Sequence, residues 1–477
     1  MYVDRSGTMH LPNFLEARTR DKRNYSRVDF SFDSKLQNNY QGKTYYIKTY
    51  GCQMNEHDSE NIAALLEQLG FQKVDKYTQA DFILLNTCSI RENAHNKAFG
   101  MLGRIKHLRN EKKDIIVGIC GCMAQEESVV ERILRDYKFV NFVLGTHNMH
   151  QLPEVIEKSI LENKQQIEVF SREGDLYEGL PVLRTNSYKA YVNIIYGCDK
   201  FCTYCIVPYT RGRERSRKKE DILNEINTLI RDGYKEVTLL GQNVNAYGKD
   251  LYDDYHMDQL LEDVAKTGIP RVRFMTSHPW DFTNRMIDVI AKYPNIMPSI
   301  HLPIQSGSNQ VLKRMGRRYT KESYLELFHK MKEKIPRVTI STDIIVGFPG
   351  ESEEDFLETM KVVEECRFDN AFTFIFSVRK GTPAEKLEDH ISLEEKEERL
   401  QRLNTVINQI FLEKNQKLEG TSLEVLVEGI SSKKKMYFGY SDTNKLINFT
   451  SEKPLEVGDI VSVKIKSAKT WSLDGEV

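Results

Sequence analysis

The sequence predicts a three-part α/β protein: an open parallel sheet, then a partial barrel of six β/α units, then a small all-β unit. Three observations predict it. A length of 477 residues is too great for a single core. Strand-length apolar runs alternate with amphipathic helical stretches from Lys43 to about Lys417, the pattern of parallel sheets covered by helices. From about residue 416 the pattern changes to short β-type runs separated by Gly, Asp, Asn and Pro.

Residues 1–42 are polar, with mixed charges and little periodicity, and read as a flexible or loosely docked extension. Their acids argue against an organelle transit peptide. The first unit, 43–180, opens with a strand over Thr44–Tyr50. A helix follows, with Ile62, Leu65, Leu66 and Leu69 on one stripe and Gly70 as its stop. A strand over Phe82–Asn86, a helix near Arg91–Arg109 and a strand over Ile115–Ile119 come next. Three of these strands run into cysteine, at Cys52, at Cys88 and at the Cys120–Cys122 pair. Ligands of open α/β sheets collect outside the carboxyl ends of the strands, so three thiols delivered to that edge make a cluster site.

Pro181 and the polar stretch Arg184–Ser187 read as a linker into the second unit, 185–415. Its six strands are expected at Ala190–Ile195, Glu236–Leu240, Val272–Met275, Ser299–Leu302, Val338–Ile345 and Ala371–Phe376. Ile222, Leu223, Ile226, Leu229 and Ile230 form one apolar helix face before Gly233. A long charged helix from Ser392 to about Lys417 leaves the barrel. The last unit, 416–477, has β runs at Leu423–Val427, Lys445–Phe449 and Ile460–Ile465, and an open barrel of the oligonucleotide-binding type suits them.

Composition is that of an ordinary soluble protein, 40% hydrophobic and 29% charged. The net charge is −1, so any nucleic-acid surface must be a local patch. No apolar run reaches the length of a membrane span and no signal peptide is evident, which predicts a cytoplasmic protein with no membrane partner. In a reducing cytosol the eight cysteines are candidates for metal ligation, catalysis or burial rather than disulfides.

Gly197-Cys198-Asp199-Lys200-Phe201-Cys202-Thr203-Tyr204-Cys205 follows the first barrel strand. Three closely spaced thiolates can hold three irons of a 4Fe–4S cube and leave the fourth iron open for a ligand. Structural zinc would want a fourth ligand, and no Cys or His stands at a familiar spacing to supply it. This triplet resembles that of the radical S-adenosylmethionine superfamily. The resemblance implies that Cys198, Cys202 and Cys205 hold the cluster, whose free iron is chelated by S-adenosylmethionine. One electron then cleaves the sulfonium, giving a 5′-deoxyadenosyl radical.

Gly51-Cys52-Gln53-Met54-Asn55, Asn86-Thr87-Cys88-Ser89-Ile90-Arg91-Glu92 and Gly121-Cys122-Met123-Ala124-Gln125 resemble the N-terminal domain of the methylthiotransferase family. The resemblance implies a second 4Fe–4S cluster on Cys52, Cys88 and Cys122. Spacing alone does not choose between Cys120 and Cys122; the resemblance favours Cys122, leaving Cys120 as core. Cys366 reads as a packing residue. Gly241-Gln242-Asn243-Val244-Asn245-Ala246-Tyr247-Gly248 and Pro208-Tyr209-Thr210-Arg211-Gly212-Arg213 are similar to the branch acting on isopentenyladenosine in tRNA. Tyr437-Phe438-Gly439-Tyr440 and Asn444–Phe449 resemble the TRAM domain of that branch. The implied reaction takes hydrogen from C2 of the dimethylallyl-modified adenine immediately 3′ of the anticodon and places sulfur there. A second S-adenosylmethionine supplies the methyl group. Implied partners are tRNA, a cellular electron donor and the iron–sulfur assembly machinery, around a monomer.

The alternatives are a methylthiotransferase of threonylcarbamoyladenosine tRNA or of a ribosomal-protein aspartate, and, in another class, a non-catalytic iron–sulfur electron carrier. Gln305, Asp343 and Gly347, at or near predicted strand ends, are candidate contacts to S-adenosylmethionine, and Gly347-Phe348-Pro349-Gly350-Glu351 equally suits a plain strand-to-helix turn. His278 and His301 lie near strand ends with no role claimed. Arg211, Arg213, Arg215 and Arg217, with Lys218 and Lys219, are candidate RNA phosphate contacts or a solvated surface. Nine Lys balance nine acids from Lys417 onward, so RNA binding there would rest on Lys433–Lys435 beside Tyr437 and Phe438, aromatics that suit a barrel core equally well.

Overall fold

A computed structural model describes residues 14–19, 25–89, 92–162, 164–170, 175–431 and 436–477. Six parallel strands form the first sheet in the spatial order Gln72–Lys73, Thr44–Tyr50, Phe82–Thr87, Ile116–Gly121, Phe142–Leu144, Gln166–Glu168. The chain starts inside the sheet, steps to one edge, then returns to build the other side. Strand order therefore reverses between Thr44–Tyr50 and Phe82–Thr87, and the crevice of a doubly wound sheet opens there. The Phe82–Thr87 strand is buried along its whole length, as a strand covered on both faces must be. One apolar cluster, with Ile83, Leu102 and Val130, packs on one face and another, with Leu66, Leu84 and Phe142, on the other.

The second unit has the six expected parallel strands in two ladders. Lys189–Asn193, Glu236–Leu240 and Arg271–Phe274 form one; Ser299–His301, Thr339–Val346 and Asn370–Ile375 form the other. The segment at Ile296 joins them, since Val272 N donates to Asn295 O at 2.8 Å and Met297 N to Val272 O at 2.9 Å. Val192, Val237, Leu239, Val272, Ile340 and Ile344 face the surrounding helices in one large core. The Leu393–Gln416 helix, N-capped by Ser392, leads to the last unit.

That unit is a closed five-stranded barrel, not an open one. Two of its strands, Tyr437–Ser441 and Leu473–Glu476, were not among the expected runs. Leu473–Glu476 bonds to both Leu446–Thr450 and Ile460–Ala468 and so closes the sheet. Tyr437 stacks on Phe449 with centroids 5.9 Å apart, and its hydroxyl accepts from Leu455 N at 3.1 Å. It is part of the barrel wall. Lys433–Lys435 lie outside the described residues. The barrel also stops the bottom of the large one: fully buried Arg271 donates twice to Tyr440 O at 3.2 Å, and Arg273 to Ser441 O at 2.7 Å.

The described parts of the N-terminal extension are docked. The Phe14–Thr19 helix buries Ala17 against Phe201, Ile206 and Tyr209. Arg27–Asp29 pairs in parallel with Leu176–Glu178. The expected linker is tied down as well, with Arg184 reaching Tyr191 O at 2.7 Å and Glu225 at 2.5 Å.

Candidate functional site

Each member of the first cysteine trio sits where a strand of the open sheet ends. Cys52 is the N-cap of the Gln53–Gln68 helix, and Asn55 returns its Oδ1 to the Cys52 amide and thiol, each at 3.3 Å. Asn55 Nδ2 in turn donates to Asn86 Oδ1 at 3.1 Å, and Asn86 Nδ2 to Asn55 O at 2.8 Å. Thr87 Oγ1 donates to Cys120 O at 2.8 Å. Buried amides thus lock three strand ends into one arrangement, a satisfied network that specifies geometry. Gly121 has φ +94°, and a Cβ there would lie 2.4 Å from Thr87 O, so the backbone leading to Cys122 closes on its neighbour only as glycine. Cys120 points into the apolar cluster with Leu84, Phe142 and Leu144 and is fully buried.

Two side chains of the barrel meet this edge. Arg211 Nε donates to Cys122 Sγ at 3.0 Å while its Nη2 is held by Asp58 Oδ2 at 2.7 Å. Gln242 binds Met54 Sδ, two residues after Cys52, and its Oε1 accepts from the amide of Gly197, the neighbour of Cys198. Thr146 Oγ1 also donates to Thr210 O at 2.8 Å. The first trio and the Cys198–Cys205 loop therefore face one another across a single mouth.

The thiols of the two trios differ in their electrostatics. Its hydrogen bond with Cys88, helped by nearby Arg211, holds the Cys52 thiol down at about 6. Burial pushes Cys122 up, partly offset by Arg211. Burial, then Glu214 and the neighbouring thiols, drives Cys198 far up, and burial with Cys202 lifts Cys205 to about 12. Buried thiols that repel one another as thiolates ionise together only against a compensating cation, the charge state an iron cube supplies. Among the described residues no three His, Cys, Asp or Glu converge tightly enough to hold a single metal ion. In the loop after the second barrel strand, both amide atoms of Asn245 are buried without a partner among the described residues, as is Ser277 Oγ after the third strand. Such groups ask for a ligand or water.

The remaining site expectations fare unevenly. Asp343 lies on the inward face of its strand, 3.3 Å from His301 Nε2, and Gln305 bridges it, its amide donating to Asp343 O at 2.8 Å. Gly347 is closed to a ligand: its amide donates to Glu351 Oε2 at 2.6 Å, and a Cβ would lie 2.4 Å from the Lys396 stem. The arginine run is not presented to a polyanion. Arg211, Arg213 and Arg215 are at most 7% exposed. Arg213 is clasped by Asp199 and by Arg18 O, Arg215 donates to Arg211 O, and Arg217 binds Glu178 at 2.9 Å and Glu225 at 2.8 Å. Arg211 and Arg217 meet acids 153 and 39 positions away, in Asp58 and Glu178, which local charge density does not reveal. Sequence reading missed a second basic run, Lys313-Arg314-Met315-Gly316-Arg317-Arg318. Thr203 of the cysteine loop pins it through Met315 O at 2.9 Å and Arg314 O at 2.8 Å.

Comparison with known proteins agrees with this arrangement. Residues 44–145 match Uncharacterized protein family UPF0004, 192–363 the Radical SAM superfamily and 416–477 the TRAM domain. The tRNA-2-methylthio-N(6)-dimethylallyladenosine synthase of Staphylococcus aureus (strain MRSA252) is 54% identical over 468 residues, covering 97% of this chain and 91% of its own. That of strain JH9 gives the same figures of 54%, 97% and 91%. The chain belongs to this family of radical S-adenosylmethionine methylthiotransferases. Its fold is shared with the radical S-adenosylmethionine methyltransferase TsrM from Kitasatospora setae, at a TM-score of 0.52 and 12% identity, over 80% of this chain and 81% of that one. No described helix is long and apolar enough to cross a membrane.

Proposed function

We propose that Cys198, Cys202 and Cys205 hold the radical-generating 4Fe–4S cluster, and that Cys52, Cys88 and Cys122 hold an auxiliary one, in an enzyme converting N6-dimethylallyladenosine of tRNA to its 2-methylthio derivative. The observation that carries this is the apposition of the two trios through Arg211 and Gln242. With S-adenosylmethionine bound, the groups supply a radical able to take hydrogen from an inert aromatic carbon, and the sulfur that replaces it. The chain's own residues set the stage. The asparagine lattice fixes three strand ends, Arg211 donates to a ligand sulfur, and the folded-back arginines seal the two units together. Gln305 and Asp343 are the proposed contacts to S-adenosylmethionine; Gly347 shapes the turn instead. The working division of the chain is 43–180, 185–415 and 416–477, in a cytoplasmic monomer served by an electron donor and iron–sulfur assembly factors.

Two triple variants test this. Cys198, Cys202 and Cys205 changed to Ala should leave one cluster and no 5′-deoxyadenosine. Cys52, Cys88 and Cys122 changed to Ala should leave one cluster and normal 5′-deoxyadenosine but no thiolated nucleoside by mass spectrometry. Cleavage of S-adenosylmethionine by the first variant would overturn the assignment.

A further inference from the structure

The mouth of the barrel carries an exposed tryptophan ringed by cations. Trp280 sits in the Pro279–Asp281 turn after the third strand, its amide donating to His278 Nδ1 at 3.3 Å. Pro279 and Asp281 are buried, yet the indole between them is 43% exposed. The Arg318 guanidinium lies 4.7 Å from the ring centroid and Lys200 Nζ 4.9 Å, both within cation–π range. Lys200 belongs to the cysteine loop, between Cys198 and Cys202. Asp281 holds it at 2.5 Å, fixing its ammonium beside the ring, and holds Lys249 at 2.7 Å. Arg318 is exposed and has no ion pair among the described residues. Behind it, Arg317 packs on Tyr204 and Tyr319 and binds His278 Nε2, so the run carrying Arg318 is anchored. Burial, and then the Arg317 charge, keeps His278 neutral.

We propose that Trp280, with Arg318, Lys200 and Lys249, is a platform on which unpaired nucleotides of the tRNA stack beside the reacting base, the cations taking the adjoining phosphates. An apolar ring packed for stability would be covered. This one is 43% exposed, with an ion-paired lysine and an exposed arginine against its ring. An exposed aromatic ring with cations lying over it is what single-stranded nucleic acid binds, since a base can stack on the ring or on the guanidinium over it and the cations can meet the adjoining phosphates. The platform also answers the charge problem. A chain of net charge −1 needs a local patch, and the first arginine run does not provide it. The proposal rests on the reading that RNA is the substrate.

The test is anaerobic fluorescence anisotropy of the reconstituted full-length protein. The probe is a labelled anticodon stem-loop containing N6-dimethylallyladenosine, titrated at several salt concentrations. Trp280→Ala should weaken binding by about five- to a hundredfold, with Trp280→Phe retaining most of the affinity. Arg318→Glu, a change at an exposed position that leaves the fold intact, should weaken binding and flatten the salt dependence by about one unit of slope or more. In turnover assays the loss should appear in KM rather than kcat. Wild-type affinity and slope in both Trp280→Ala and Arg318→Glu would overturn the platform. Failure of the wild-type protein itself to bind or thiolate the stem-loop would overturn the RNA reading instead.

Discussion

Arg211→Ala removes a side chain that touches both Cys122 Sγ of the first trio and the buried acid Asp58. The Arg211 and Asp58 side chains are 6% and 2% exposed and meet at 2.7 Å. Breaking a buried pair by deleting one partner costs about 3–5 kcal/mol, because the other charge is stranded. Burial already pushes the Asp58 carboxyl up with Arg211 in place, so without it Asp58 is driven further toward its protonated form. At roughly 2–4 °C per kcal/mol for a domain of this size, the melting temperature should fall by about 6–20 °C. Asp58→Asn in the same chain should return part of that loss, since no charge is then left behind. Differential scanning calorimetry of anaerobic protein measures both. A second readout separates packing from tuning. An N–H···S bond stabilises the more negative reduced cluster, so Arg211→Ala should shift the midpoint potential of the auxiliary cluster downward, leaving that of the Cys198–Cys205 cluster in place. Arg211→Lys keeps a charge but not the fork that reaches Asp58 and Cys122 together, and should recover stability better than potential. A melting temperature within about 2 °C of wild type, with an unmoved potential, would refute the reasoning.

Cys120→Ala, a small change in an apolar core, should cost about 1 kcal/mol and keep the auxiliary iron, whereas Cys122→Ala should lose it; the reverse in an iron assay would exchange their roles. Burial lifts Glu351 from 4.5 to about 7, against the pull of the Gly347 amide and Arg399. Its contribution to stability is then fully present below pH about 4.5 and lost as pH rises through about 7. Melting curves across that window should flatten in Glu351→Gln, and an unchanged pH dependence would show that another group governs it.

What was legible in the sequence was periodic or local. Strands buried on two faces and helices with one apolar stripe announce themselves, and with them the edge to which Cys52, Cys88 and Cys122 are delivered. The cysteine loop needed only its own spacing. The last barrel was less legible, because Tyr437–Ser441 and Leu473–Glu476 are short and built around Gly439 and Gly475, residues of poor strand propensity. The basic run misled for a deeper reason. Charge density along a chain is a local quantity, but whether an arginine meets solvent depends on acids placed by the fold, here Asp58, 153 positions from Arg211, and Glu178, 39 from Arg217. The docked N-terminal segments were illegible on the same ground, since Ala17 is buried by Phe201, Ile206 and Tyr209, far along the chain.

That illegible layer is also where the chemistry is organised. The radical proposed for one trio and the sulfur proposed for the other can meet one adenine carbon only if the two mouths hold a fixed relation. Sequence-local ligand spacing cannot enforce that relation between separate folding units. Arg211 and Gln242 can, because each lies in a barrel loop near the cysteine triplet and reaches a residue of the first trio's loops. Gln242 spans the neighbours of Cys52 and Cys198, and Arg211 spans Cys122 and the helix that starts at Cys52. The sequence offered Arg211 as a candidate RNA contact and Gln242 as part of a family-like loop, and neither as a link between the two units. With Arg211 buried and Gln242 half-buried at the seam, the relation between the two cysteine trios is a property of the fold rather than of a flexible linker.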